Sequence, residues 1–133
     1  MNTLPEYVQQ RIRRPYPVDG HVVPHSTPVI SFGNPSACRV ATLGINPSRI
    51  EFQTQSRTLL PVGKKRLVDL ELLDATDLST LNDRQVEQVV SACHNYFHRN
   101  PYGRWFDKLN AVLAGIDCDY YTGSACHLDI VQW

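Results

Sequence analysis

One stretch constrains the fold of this chain more than any other. Val40-Ala41-Thr42-Leu43-Gly44-Ile45 is an almost continuous apolar run that stops abruptly at Asn46-Pro47-Ser48. Its near lack of polar alternation predicts a strand buried on both faces, in a sheet covered by helices. In open α/β sheets, ligands bind outside the carboxyl ends of the strands, which is where this corner falls. Gly44 permits close approach, Pro47 restrains Asn46, and the Asn46 amide offers both a donor and an acceptor. Asn-Pro-Ser is also an ordinary turn sequence, so the tripeptide alone does not assign a function.

The flanking sequence supplies helices. Residues 4–14 place Leu4, Tyr7, Val8 and Ile12 on one helical face, and Pro15 ends that helix. Residues 15–28, with four prolines and no periodicity, should run extended over the surface. Residues 29–32 and 39–45, separated by Gly33-Asn34-Pro35-Ser36, suggest a hairpin. Residues 49–63 read as a long loop, and 64–73 are ambiguous between helix and strand. Val86, Val89, Val90, Cys93, Tyr96 and Phe97 recur at helical spacing, predicting a helix that ends near Arg99. Trp105, Phe106, Leu109, Val112 and Leu113 predict another helix, with Gly115 as its stop. Residues 127–133 read as a final strand. Strands alternating with helices argue for an α/β layered fold.

The size of the chain, 133 residues, suits one domain with its own core. Lys and Arg total 13 against 13 Asp and Glu, so no global field draws it to a polyanion or an anionic membrane. Two short basic runs, Arg11/Arg13/Arg14 and Lys64/Lys65/Arg66, read as solvated surface or as local contacts. No apolar window reaches the length of a membrane span, and no secretory leader is evident, so a soluble cytoplasmic chain is expected. Its four cysteines form no CxxC pair and read as reduced thiols. His94 and His98 stand one helical turn apart, yet without a supporting motif no metal is expected. The absence of a Walker A loop or GxGxxG leaves no nucleotide cofactor expected either.

Leu43-Gly44-Ile45-Asn46-Pro47-Ser48 resembles the first motif of the uracil-DNA glycosylase superfamily, closest to its mismatch-specific branch with Gly-Ile-Asn-Pro. Asn100-Pro101-Tyr102-Gly103-Arg104-Trp105-Phe106 resembles that branch's His-Pro-x-Asn-Arg-Phe-Trp segment, and residues 120–133 resemble its next strand. The resemblance covers residues 38–133. It makes residues 1–37 an N-terminal helix and extended arm, and 38–133 the N-terminal part of a glycosylase-like domain. It implies a three-layer α/β/α fold with a central, mostly parallel sheet, incomplete relative to the family's four-stranded core. The implied activity is hydrolysis of the N-glycosidic bond of uracil or a related damaged base in DNA, as in base excision repair, on a base flipped out of the stack. By resemblance, Asn46 orients the attacking water, while Gly44, Ile45, Pro47 and Ser48 line the pocket. An aromatic near residues 96–102, with Phe97, Tyr96 and Tyr102 as candidates, stacks on the base. Phe97 and Tyr96 also continue the apolar stripe of their helix, which suits core packing. The family's second catalytic motif lies on a later strand that these residues do not include. Two readings therefore stay open: a hydrolase in shortened form, whose activity without the later motif the residues leave open, or a non-catalytic binding or assembly module whose half-sheet self-associates or pairs with a partner along an exposed edge.

Overall fold

The computed structural model describes residues 3–18 and 20–133. Helix α1 spans Glu6–Ile12 and buries Ile12 completely. Two of the three arginines of the first basic run, Arg11 and Arg13, are engaged within the fold, and Arg14 is exposed. Arg13 Nε donates to the Leu81 carbonyl at 2.8 Å and its guanidinium pairs with Asp83, while Arg11 lies 4.7 Å over the Trp133 ring.

Helix α2 spans Asp83–His94 behind a capping box, in which Asn82 accepts from the Gln85 N–H and the Gln85 side chain accepts from the Asn82 N–H. Val86, Val89, Val90 and Cys93 form its buried stripe, as the spacing predicts. The helix stops five residues earlier than expected. The Asn95 side-chain amide donates to the Ser91 carbonyl at 2.9 Å, and the chain continues as a 3-10 turn over Tyr96–His98. Helix α3 spans Gly103–Leu113 and tightens into a 3-10 turn over Ala114–Ile116. The expected stop at Gly115 is displaced to Asp117, which takes the left-handed conformation at φ 59° that a short polar side chain tolerates.

Strand β1 (Val40–Gly44) pairs in parallel with β2 (Ala125–Asp129), in the register Val40 with Ala125 through Gly44 with Asp129. On the other side of β2, Phe32 and His127 exchange N–H···O bonds of 2.8 and 2.9 Å as an antiparallel bridge. This overturns the expected hairpin, because β2 lies between residue 32 and β1. Gly33 makes the departure possible: its φ of +90° suits glycine, and a β-carbon there would touch Phe97 and Cys126 at 3.4 Å. The arm also does not stay on the surface. Ser26, Thr27, Val29, Ser31 and Phe32 are all buried, and Val29 and Phe32 join the core.

The architecture is thus a small α/β fold, with helices and a two-stranded parallel sheet among the described residues. Strand β1 is not enclosed on both faces, since Leu43 is 69% and the following Ile45 is 74% exposed. Apolar composition expresses what a strand is able to bury, and here nothing described lies over those side chains. Inside, an aromatic cluster of Phe32, Tyr96, Phe97, Phe106 and Tyr120 packs with ring centroids 4.7–5.4 Å apart. The second basic run is also partly internal: Lys65 forms a buried ion pair with Asp69, and Arg66 donates to the carbonyls of Ile50 and Asn100. No helix among the described residues is long and apolar enough to cross a membrane.

Candidate functional site

At the carboxyl ends of β1 and β2 lies a cleft of about 610 Å³. Gly44, Ile45, Asn46, Pro47 and Ser48 form one wall, and Tyr102, Trp105, Phe106 and Leu109 form another. Glu51, His127 and Asp129 add polar groups. Mostly apolar walls with a few convergent polar groups are the usual make-up of a small-molecule site.

The corner is built from local rules. Pro47 is buried, while Asn46 and Ser48 are exposed. Ser48 Oγ accepts from the Ile50 N–H at 3.3 Å and caps a 3-10 turn over Arg49–Glu51, which carries Glu51 inward. Asn46 Nδ2 donates to the Pro47 carbonyl at 3.1 Å. The amide therefore braces its own turn with one donor, and its Oδ1 accepts no hydrogen bond among the described residues.

Parallel pairing fixes the floor. Gly44 stands opposite Asp129 and Thr42 opposite His127, so period-two alternation puts all four on one face of the sheet. His127 Nδ1 lies 2.7 Å from Thr42 Oγ1, which lies 2.5 Å from the Tyr120 hydroxyl, and His127 Nε2 lies 3.2 Å from Asp129 Oδ1. Every group is satisfied when Tyr120 donates to Thr42, Thr42 to Nδ1, and Nε2–H to the carboxylate. The second Asp129 oxygen accepts nothing among the described residues.

Gly44 exists for this arrangement. A β-carbon there would collide with Asp129 Oδ1 and stand 2.7 Å from His127 Nε2, both belonging to buried, hydrogen-bonded side chains. Gly44→Ala is expected to cost about 1–3 kcal/mol, as overpacking does. It should also displace the His127 ring, which urea denaturation and the imidazole NMR signals would report.

Glu51 is 2% exposed. The Tyr96 hydroxyl donates to its Oε2 at 2.6 Å and accepts from the Tyr102 N–H at 2.9 Å. Burial pushes the Glu51 carboxyl up to about 7, against the opposing Tyr96 hydrogen bond and Arg66 charge, and burial likewise raises the Tyr96 hydroxyl. The folded chain holds the Glu51 proton up to about pH 7, whereas the unfolded chain loses it near 4.5. The penalty for burying the charge is thus absent below about pH 4.5 and grows to roughly 3 kcal/mol as the pH rises through 7. Glu51→Gln keeps an acceptor oxygen for Tyr96, so urea denaturation should show this pH-dependent loss in the wild type and its removal in the variant.

The structure brings Gly44, Ile45, Asn46, Pro47, Ser48 and Tyr102 to one cleft. It does not bring Phe97 there. Phe97 is 6% exposed, stacks on Tyr120 at 4.8 Å and 11°, and meets only a separate hollow beside His94 and His98. The 3-10 turn over Tyr96–His98 directs Phe97 and Tyr96 into the core, and the Tyr96 hydroxyl reaches Glu51. The aromatic groups that line the cleft are Phe32, Tyr102, the half-exposed Trp105 and the buried Phe106. Glu51, His127 and Asp129 escape a reading of the residues alone, since each depends on a partner distant in sequence. The one available signal is Asp129, a charge closing an otherwise apolar strand. No family model, curated protein or solved structure matches the chain.

Proposed function

We propose that this chain is a uracil-DNA glycosylase-like domain, which hydrolyses the N-glycosidic bond of uracil or a related damaged base in DNA. The observation that carries the reading is the placement of the Asn46 amide at the mouth of the same cleft whose floor holds Asp129. A flipped base needs a shaped hollow, a π-face or apolar wall to lie against, and polar groups for its edge. Trp105, Tyr102 and Phe106 supply the wall, and the free Asp129 oxygen is an acceptor suited to a ring N–H. Asn46 Oδ1 accepts from a water and orients it toward the sugar carbon. An amide takes no proton, so departure of the base leads the reaction and water follows. In this reading the protein works in the cytoplasm, needs no cofactor, and its sheet belongs to a three-layer α/β/α arrangement whose further strands pair along β1.

A second reading is favoured by the outer edge of β1, which has no hydrogen-bonded neighbour among the described residues and stands beside exposed Leu43 and Ile45. It makes the chain a non-catalytic module that joins a partner, or a second copy, by strand addition. One experiment separates the two. The purified chain is incubated with an end-labelled uracil-containing single strand, and alkali-labile sites are counted while light scattering gives its mass. Base release by a monomer supports the glycosylase. An inactive dimer overturns it in favour of a module that joins a second copy, and an inactive monomer overturns it and leaves only a module that joins a different partner.

A further inference from the structure

Two of the four cysteines stand together away from the cleft. Cys126 is the second residue of β2, paired with Ala41, and Cys38 lies two residues before β1, at the end of a turn whose Ala37 and Cys38 N–H groups donate to the Asn34 carbonyl. Cys38 Sγ donates to Cys126 Sγ at 3.0 Å, across 88 positions of sequence. The two differ in access, since Cys38 is partly exposed and Cys126 is fully buried. Cys93 and Cys118 are buried singly, and neither shares a hydrogen bond with another thiol among the described residues.

We infer that Cys38 and Cys126 form a reversible intramolecular disulfide when the chain meets a low-molecular-weight disulfide of the glutathione class. The accessible Cys38 thiolate attacks one sulfur of the oxidised glutathione, forming a mixed disulfide and expelling one glutathione thiolate. Cys126 then attacks the Cys38 sulfur, and the second glutathione thiolate leaves. Two protein thiols are oxidised and one glutathione disulfide is reduced. The protons lost by Cys38 and Cys126 are taken up by the two glutathione thiolates. The sulfurs already stand 3.0 Å apart, about 1 Å beyond the length of a disulfide bond. Burial, and after it the neighbouring Cys38, push the Cys126 thiol up to about 12, so the partly exposed Cys38 is the thiol that meets the oxidant first.

The consequence is a covalent staple at the amino ends of β1 and β2, opposite the cleft. It locks the register that sets Gly44 against Asp129 and His127 against Thr42, leaving the cleft walls untouched. Bridging residues so far apart in sequence restricts the unfolded chain strongly. The oxidised protein should melt roughly 5–15 °C above the reduced one. In a reducing compartment such a bond is transient and reports redox state.

The test treats the reduced full chain with oxidised glutathione, then combines thiol titration, intact mass and a non-reducing peptide map. The expected result is a fall from four titratable thiols to two, no retained glutathione, a peptide pair joining Cys38 to Cys126, and reversal by dithiothreitol. Cys126→Ser should instead retain one glutathione on Cys38, and Cys38→Ser should retain none. Four thiols left free, a wild type arrested at the mixed disulfide, or a bridge using Cys93 or Cys118 would each overturn the inference. None of these readouts depends on activity, so the result stands apart from the glycosylase reading.

Discussion

Replacing Phe106 with alanine is expected to destabilise the fold by about 3–5 kcal/mol. The side chain is 1% exposed and sits at the centre of the aromatic cluster, with its ring 5.0–5.5 Å from Phe32, Tyr96, Phe97, Tyr120 and His127. Truncation removes the transfer free energy of a phenyl group and leaves a cavity whose walls are themselves rings held by other partners. Rings so held collapse poorly into a void, which places the cost high in the range. Domains carry about 5–15 kcal/mol in total, so this one substitution removes a large share. The thermal midpoint should fall by roughly 10–20 °C. Phe106 also lines the cleft beside His127, so any small-molecule binding there should weaken with it. Phe106→Leu, which refills most of the volume, is the comparison that separates lost packing from lost aromatic contact. A melting curve indistinguishable from wild type in the alanine variant would mean that the ring is not at the centre of the core.

The second large effect concerns chemistry instead of stability. Under the proposed function, Asn46→Ala should lower single-turnover base release about 100- to 1,000-fold, the range for loss of one pre-positioned polar group in an active site. Its thermal midpoint should hardly move, because the side chain is exposed and contributes one hydrogen bond, to the carbonyl of the adjacent Pro47. That split matters. If the amide only braced the turn, the variant would show a small stability loss and unchanged turnover. Retained turnover would discard the water-orienting role and leave Asn46 as a turn residue.

The helices were readable from the residues because their pattern is local. The three-and-four spacing of Val86, Val89, Val90 and Cys93 names the buried face of α2 before any partner is known. The same holds for Trp105 to Leu113 in α3, with its boundary displaced by the adaptable last turn. The end of β1 was equally plain, because a Gly-Ile-Asn-Pro-Ser corner cannot continue a buried strand. Placing Phe97 in the cleft failed for an instructive reason. Its position in the stripe and its proximity to Tyr102 in sequence pointed in opposite directions, and burial of a large ring outweighed proximity.

Side-chain periodicity and turn chemistry were sufficient to reveal where α2, α3 and β1 lie and that the chain makes a strand-ending corner at Asn46. Which strand neighbours β1 is not written in any local pattern. A parallel partner is separated from β1 by the whole crossover, and His127 and Asp129 meet Thr42 and Gly44 only through that long-range register. The same pairing turns Gly44 from a flexible residue into one required for space, while packing between separate turns and strands sets Cys38 against Cys126 and Glu51 against the Tyr96 hydroxyl. Local free energies select the elements, while the cleft arises from packing between segments far apart in the chain, where hydrophobic burial is non-directional and only three-dimensional fit chooses the neighbours.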